Sequence, residues 1–108
     1  MSLELPRRFS DEILQRILEQ SMVHSCACPA QVCTQLKAQR SLFKYQQNCL
    51  NQTDTDEKVH RVIAETVIEN HKLMEECLEE VVRLEGWNME TYEMPKDIKK
   101  RLISDLEP

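Results

Sequence analysis

Glycine is almost missing from this chain: Gly86 is the only one in 108 residues. That scarcity excludes the glycine-rich loops that cradle phosphates, the dinucleotide-binding fingerprint and the nucleophile elbow, each of which needs several glycines at fixed spacing. It also removes the tight positive-φ turns of β-hairpins, which argues against a sheet protein. Aromatic residues are scarce too, at 5%. Missing as well is any apolar run approaching the roughly 20 residues that span a bilayer. The stretch from Met1 to Asp11 alternates charged and apolar residues and lacks the apolar core of a secretory signal. The cytoplasm is therefore the expected compartment, and no membrane contact is expected.

At this length the chain is one domain with a modest core, so association with a second copy is an expectation from size alone. Its net charge of −5 is unevenly spread. Residues 51–93 carry twelve acidic and four basic side chains. An acidic middle does not suit the phosphate backbone, and no nucleic-acid partner is expected. Lys96, Lys99, Lys100 and Arg101 form the only basic group.

What remains is a helical pattern. Ser10 reads as an N-cap, with Asp11 and Glu12 in the first turn, where carboxylates favour the helix dipole. Ile13, Leu14, Ile17, Leu18 and Met22 follow at one-turn spacing, predicting a helix over 11–25 that stops before Pro29. Pro29 suits the first turn of a second helix over 29–50 with Cys28 as its N-cap. Its apolar face carries Val32, Leu36, Phe43 and Leu50, flanked by Cys33 and Cys49. Arg40 and Gln47 interrupt that face. They either set register on a helix seam or mark a slightly rotated face with both at its edge.

A short polar connector leads to the longest helix, predicted over 56–85 with Asp54 or Thr55 as cap and Gly86 as its stop. Val59, Ile63, Thr66, Leu73, Cys77, Val81 and Leu84 make one stripe on it, widened by Val62, Val67, Met74 and Leu78. A last helix is expected over 96–106, with Ile98, Leu102, Ile103 and Leu106 on one face. The expected fold is an all-α bundle: a long antiparallel helical hairpin with a shorter helix at each end.

Chemistry concentrates in His24, Cys26, Cys28 and Cys33, at the break between the first two helices. Zinc ligands usually come as two closely spaced Cys or His pairs. Here a second pair is missing, and Cys33 falls about 140° around the helix from Cys28. Iron and copper are further candidates for the same donors. A thiol-redox reading has its own basis, because a thiolate at a helix N-terminus meets the positive end of the dipole. Against both stands the ordinary role of cysteine as a small buried hydrophobe, which is the expectation for Cys33, Cys49 and Cys77.

On the third helix, Glu57 and His60 share the Glu-x-x-His spacing of di-iron bundles, and His71 and Glu75 form an i, i+4 pair. The first two helices supply few carboxylates to complete such a site. Glu65 and Glu69, Glu75 and Glu79, and Glu76 and Glu80 are like-charged i, i+4 pairs, each costing about 0.2–0.5 kcal/mol. These six carboxylates make either a solvated face or a docking face for a basic partner. With no nucleophile, base and orienting group in one pattern, catalytic residues are not assigned. The reading that results is a non-catalytic, self-associating module that binds another protein, with thiol redox or metal binding as the alternative.

Overall fold

A computed structural model describes residues 3–22 and 27–96, and among these the regular structure is three α-helices with no strand. They are α1 (Asp11–Ser21), α2 (Cys28–Asn48) and α3 (Asp54–Leu84). The all-α class expected from the sequence is what the chain adopts. The helix expected over 96–106 lies outside the described residues beyond Lys96, as do His24 and Cys26.

Local chemistry sets the helix ends. The Ser10 hydroxyl accepts from the Ile13 N–H at 3.1 Å, and Asp11 and Glu12 occupy the first turn. This helix ends at Ser21, four residues short of the expected boundary. α2 begins at Cys28 with Pro29 in its first turn, so Ala27, not Cys28, is the N-cap and no side chain caps the helix. Thr53 caps α3 by accepting from the Asp56 N–H at 3.0 Å. The expected Asp54 cap is therefore the first helical residue.

At the other end of α3, Gly86 adopts φ +82. Its N–H donates to the Arg83 carbonyl at 3.0 Å while the Trp87 N–H donates to the Val82 carbonyl at 2.9 Å. That pair of bonds is the Schellman motif, and it turns the chain back toward α1. The returning segment is pinned there by Gln20, whose side chain donates to the Tyr92 carbonyl and accepts from the Met94 N–H, both at 2.8 Å.

α2 packs on α3, and α1 packs on α2. Phe9, Leu14, Ile17, Cys33, Leu36, Leu78, Val82, Trp87 and Met94 form the larger apolar cluster. Nearer the 49–53 connector, Phe43, Ala64 and Val67 form a second cluster, covered by Leu3 and Leu5. Between Leu36 and Phe43 on α2, and between Val67 and Leu78 on α3, the buried positions are Arg40, His71 and Glu75. A polar layer thus separates the two apolar clusters.

The face that α3 buries differs from the one expected. Ala64, Val67, His71, Glu75, Leu78 and Val82 point inward. Val59, Val62, Leu73 and Leu84 are exposed. So is Cys77, which corrects its expected place in the core. The expected stripe is split: Val67 and Leu78 are buried and Ile63 and Met74 pack against the core, while Val59, Val62, Leu73, Cys77 and Leu84 face outward. Arg40 is buried on the α2 seam, whereas Gln47 is exposed and Gln46 takes the inward position.

Gly86→Ala tests the α3 stop. A Cβ there would meet only Pro95 Cγ at 3.9 Å, an ordinary contact, so the cost is backbone conformation alone. Urea unfolding should show a loss of about 1–2 kcal/mol.

Candidate functional site

Arg40 is the centre of the buried polar layer, with 6% of its surface exposed. Its Nε donates to His71 Nε2 at 3.0 Å. One terminal nitrogen donates to Asp11 Oδ1 at 2.6 Å, and the other donates to the Phe9 carbonyl at 2.6 Å and to Glu75 Oε2 at 3.3 Å. Glu75 Oε2 also accepts from the backbone N–H groups of Arg8 and Phe9, at 2.8 and 3.0 Å. A planar guanidinium with five donors suits this divergent set of acceptors, which a lysine could not serve.

The electrostatics follow from burial and from Arg40. Asp11 is held below the usual carboxylate value of 3.8, chiefly by the hydrogen bond from Arg40. His71 is 1% exposed. Burial pushes its pKa below the ordinary 6.5, and the Arg40 charge adds to that against the opposing pull of Glu75. With Nε2 accepting from Arg40, the neutral ring carries its proton on Nδ1, which lies 3.6 Å from Glu75 Oε1. All three guanidinium nitrogens of Arg40 donate to protein acceptors. The cluster can clamp the 8–11 segment to α2 and α3, and on its outer side Asp11 and Arg40 border a cleft of about 340 Å³ shared with Arg7, Lys37, Ser41 and Lys44.

The sequence-derived candidates fare differently. Cys28 is exposed in the first turn of α2. Cys33 is buried in the larger apolar cluster. Burial pushes its thiol up to about 11, which disfavours the thiolate needed for redox chemistry or metal ligation. His24 and Cys26 lie outside the described residues. Among the described residues, no group of three or more His, Cys, Asp and Glu side chains is placed to hold a metal ion.

Of the six carboxylates assigned to an acidic face, Glu65, Glu69, Glu76 and Glu80 are exposed and Glu79 is half-buried. Glu75 is the correction: it is buried in the Arg40 cluster and does not contribute to a solvent-facing row. Of the two His–Glu pairings noted on the third helix, His71 with Glu75 is the one drawn into the core. Its partner Arg40 was visible in the sequence only as a polar break in an apolar face.

Two surface features remain. At the connector, a cleft of about 440 Å³ is lined by Phe43, Gln46, Cys49, His60 and Arg61, among others. His60 Nδ1 and Asn51 Oδ1 are 2.6 Å apart at its rim. Cys49 is half-buried in its wall, neither core nor fully open. The second feature is the outward stripe of α3. Val62 and Leu73 are each 63% exposed and Leu84 is 77% exposed. Val62 and Leu73 come within about 20° of each other around the helix. Beside Val62, the α2 side chains Gln39 and Leu42 line a shallow groove shared with Thr66 and Asn70. Gln39 Oε1 is buried there with no hydrogen-bond partner among the described residues.

Fold and site together define a small all-α protein whose helices are clamped through one buried arginine and whose longest helix keeps an apolar stripe outside. No protein-family model matches the chain, and no curated protein or solved structure shows significant similarity to it. No described helix is long and apolar enough to cross a membrane.

Two measurements test the cluster. Arg40→Ala leaves Glu75 buried beside the remaining partners, and its unfolding free energy should drop by about 3–5 kcal/mol. The second is a pH series. Because the folded state lowers the His71 pKa, the unfolded chain takes up the proton first. Stability is then full above pH 6.5 and is lost as pH falls below that value. His71→Gln should flatten that slope in urea titrations. An unchanged slope would assign the acid sensitivity elsewhere.

Proposed function

We propose that this chain is a non-catalytic helical interaction module that pairs with a second copy of itself and binds another protein. Its frame is taken as a long antiparallel hairpin of α2 and α3 with a shorter helix at each end. The observation that carries the reading is the exposed apolar surface where Leu42 of α2 and Val62 of α3 line one groove, with Tyr45 of α2 and Val59 of α3 exposed as well. Soluble chains seldom leave several large apolar side chains together in water unless something covers them.

A second copy is the occupant that the charges favour. Two chains of net charge −5 repel one another unless they meet on uncharged surface. Gln35, Ala38, Leu42 and Tyr45 on α2 present no ionisable group that is charged at neutral pH, and the acidic row begins only beyond Val62. A self-matching contact there buries apolar surface without opposing like charges. The orphaned Gln39 Oε1 at the groove would gain a donor in such a contact. The cytoplasm is the proposed setting, where thiols such as Cys33, Cys49 and Cys77 stay reduced.

The alternative is thiol redox or zinc, iron or copper binding through Cys26 and Cys28, with His24 in support. Its one favouring observation is that Cys28 is exposed at the α2 N-terminus.

Sedimentation equilibrium of the full chain should give the mass of two chains. Leu42→Glu combined with Val62→Glu should give one chain with the same helical circular dichroism. A one-chain mass for the unaltered protein, at concentrations well above micromolar, overturns self-association. Cys26→Ser with Cys28→Ser should leave the two-chain mass unchanged. Near-stoichiometric metal in the unaltered protein, lost in that double variant, would favour the alternative.

A further inference from the structure

We propose that the cleft on the outer side of Arg40 binds a phosphate dianion, either free or as a small monoester. The cleft lies away from the surface proposed to pair with a second copy. Lys37, Ser41 and Lys44 are roughly 120° around α2 from Gln35, Ala38 and Leu42.

The charges that line it do not balance. Arg7, Lys37, Arg40 and Lys44 bring four cations, and Asp11 is the one carboxylate among the lining residues. Asp11 is already engaged, its Oδ1 accepting from Arg40 at 2.6 Å and its Oδ2 from Arg7 at 3.1 Å. Arg40 is also answered from inside, by Glu75. The charges of Lys37 and Lys44 are left over. Lys37 donates to the neutral amide oxygen of Gln15, and Lys44 has no hydrogen-bond or ion-pair partner among the described residues. Like charges at i, i+3 and i+4 repel, so the row of Lys37, Arg40 and Lys44 is unfavourable until an anion joins it.

The donors are of the kind that holds phosphate. Arg40 is 6% exposed, so its guanidinium is a fixed positive charge in the wall of the cleft. The Ser41 hydroxyl makes no hydrogen bond among the described residues. Thr34 and Thr66, by contrast, return theirs to the carbonyl four residues back, at 2.9 and 2.8 Å. α1 also begins here, since Asp11 is its first residue, and the positive end of its dipole adds to the attraction. Two unanswered cations match the roughly two negative charges of a phosphate monoester, whose oxygens accept several charge-assisted hydrogen bonds at once. A monocarboxylate brings half that charge. An extended polyanion is disfavoured, because Glu12 and Glu19 line the adjoining hollow that also includes Lys37. The volume of about 340 Å³ suits one small molecule.

The test is a titration of the full chain, followed through its backbone amide chemical shifts. Inorganic phosphate, glycerol 2-phosphate and acetate are compared at matched ionic strength. Both phosphates should give saturable shifts centred on residues 7–11 and 37–44, and acetate should bind far more weakly. Tighter binding of glycerol 2-phosphate assigns an organic monoester, and equal binding assigns free phosphate. Lys37→Gln combined with Lys44→Gln should weaken phosphate binding about tenfold or more, with unchanged circular dichroism. Lys58→Gln combined with Lys72→Gln removes the same charge from α3 and should leave binding unchanged. Absence of a saturable shift with either phosphate overturns the proposal. Equal weakening in the two double variants overturns it too, as does acetate binding as tightly as phosphate. A one-chain mass for the unaltered protein would sink self-association and leave this site standing.

Discussion

The structure depends on one buried guanidinium. Arg40 sits where α2 crosses α3, and it holds His71 and Glu75 on one side and the Phe9 carbonyl and Asp11 on the other. Its partners come from α3, from the segment that leads into α1, and from the first turn of α1 itself. Removing a charge from water costs several kcal/mol unless geometry and hydrogen bonds restore it. Here they do, but only in this arrangement of the three elements. The arginine therefore selects how the helices meet more than it adds to their stability. α1 packs on α2, and the hydrogen bonds from Arg8 and Phe9 to Glu75 tie its leading segment to α3 as well.

That polar layer also explains how the apolar core is divided. The larger cluster gathers α1, the α2 N-terminal half, the α3 C-terminal half and the returning loop with Trp87 and Met94. The smaller one near the connector has three buried members covered by the Leu3–Leu5 segment. A core split in this way leaves few apolar side chains per helix facing inward. Eight large hydrophobic residues stay exposed among the described residues. Their clustering along α3 and beside Leu42 is a consequence of where the helices cross. It is also the reason that the surface, rather than an enclosed cavity, carries the functional reading.

The acidic helix takes two roles as a result. Glu75 turns inward and is neutralised by Arg40. Exposed Glu65, Glu69, Glu76 and Glu80 edge the apolar stripe, which restricts partners to those with uncharged or basic surface. The second copy proposed at the connector is of the first kind.

Much of this was legible in the amino acids alone. One glycine, scarce aromatics and runs of helical period determine an all-α chain, because no other regular structure satisfies the backbone with such residues. Ser10, Pro29 and Gly86 mark starts and stops through their own local chemistry, so those boundaries were readable to within a few residues. The α1 face was readable too, with Leu14 and Ile17 buried as their spacing implied. What the sequence could not decide was which face of α3 turns inward. Val59, Val62, Leu73 and Leu84 fall at helical spacing yet stay outside, while the core takes Ala64, Val67, His71, Glu75, Leu78 and Val82 with Ile63, Ile68 and Met74 packed against it. Helical spacing is a property of one segment, whereas burial is settled by partners distant in the chain. Arg40, a break in an apolar pattern when read in order, lies 31 residues before His71 and 29 after Asp11. Only tertiary structure brings those groups together, and only together can they offset the cost of burying a charge.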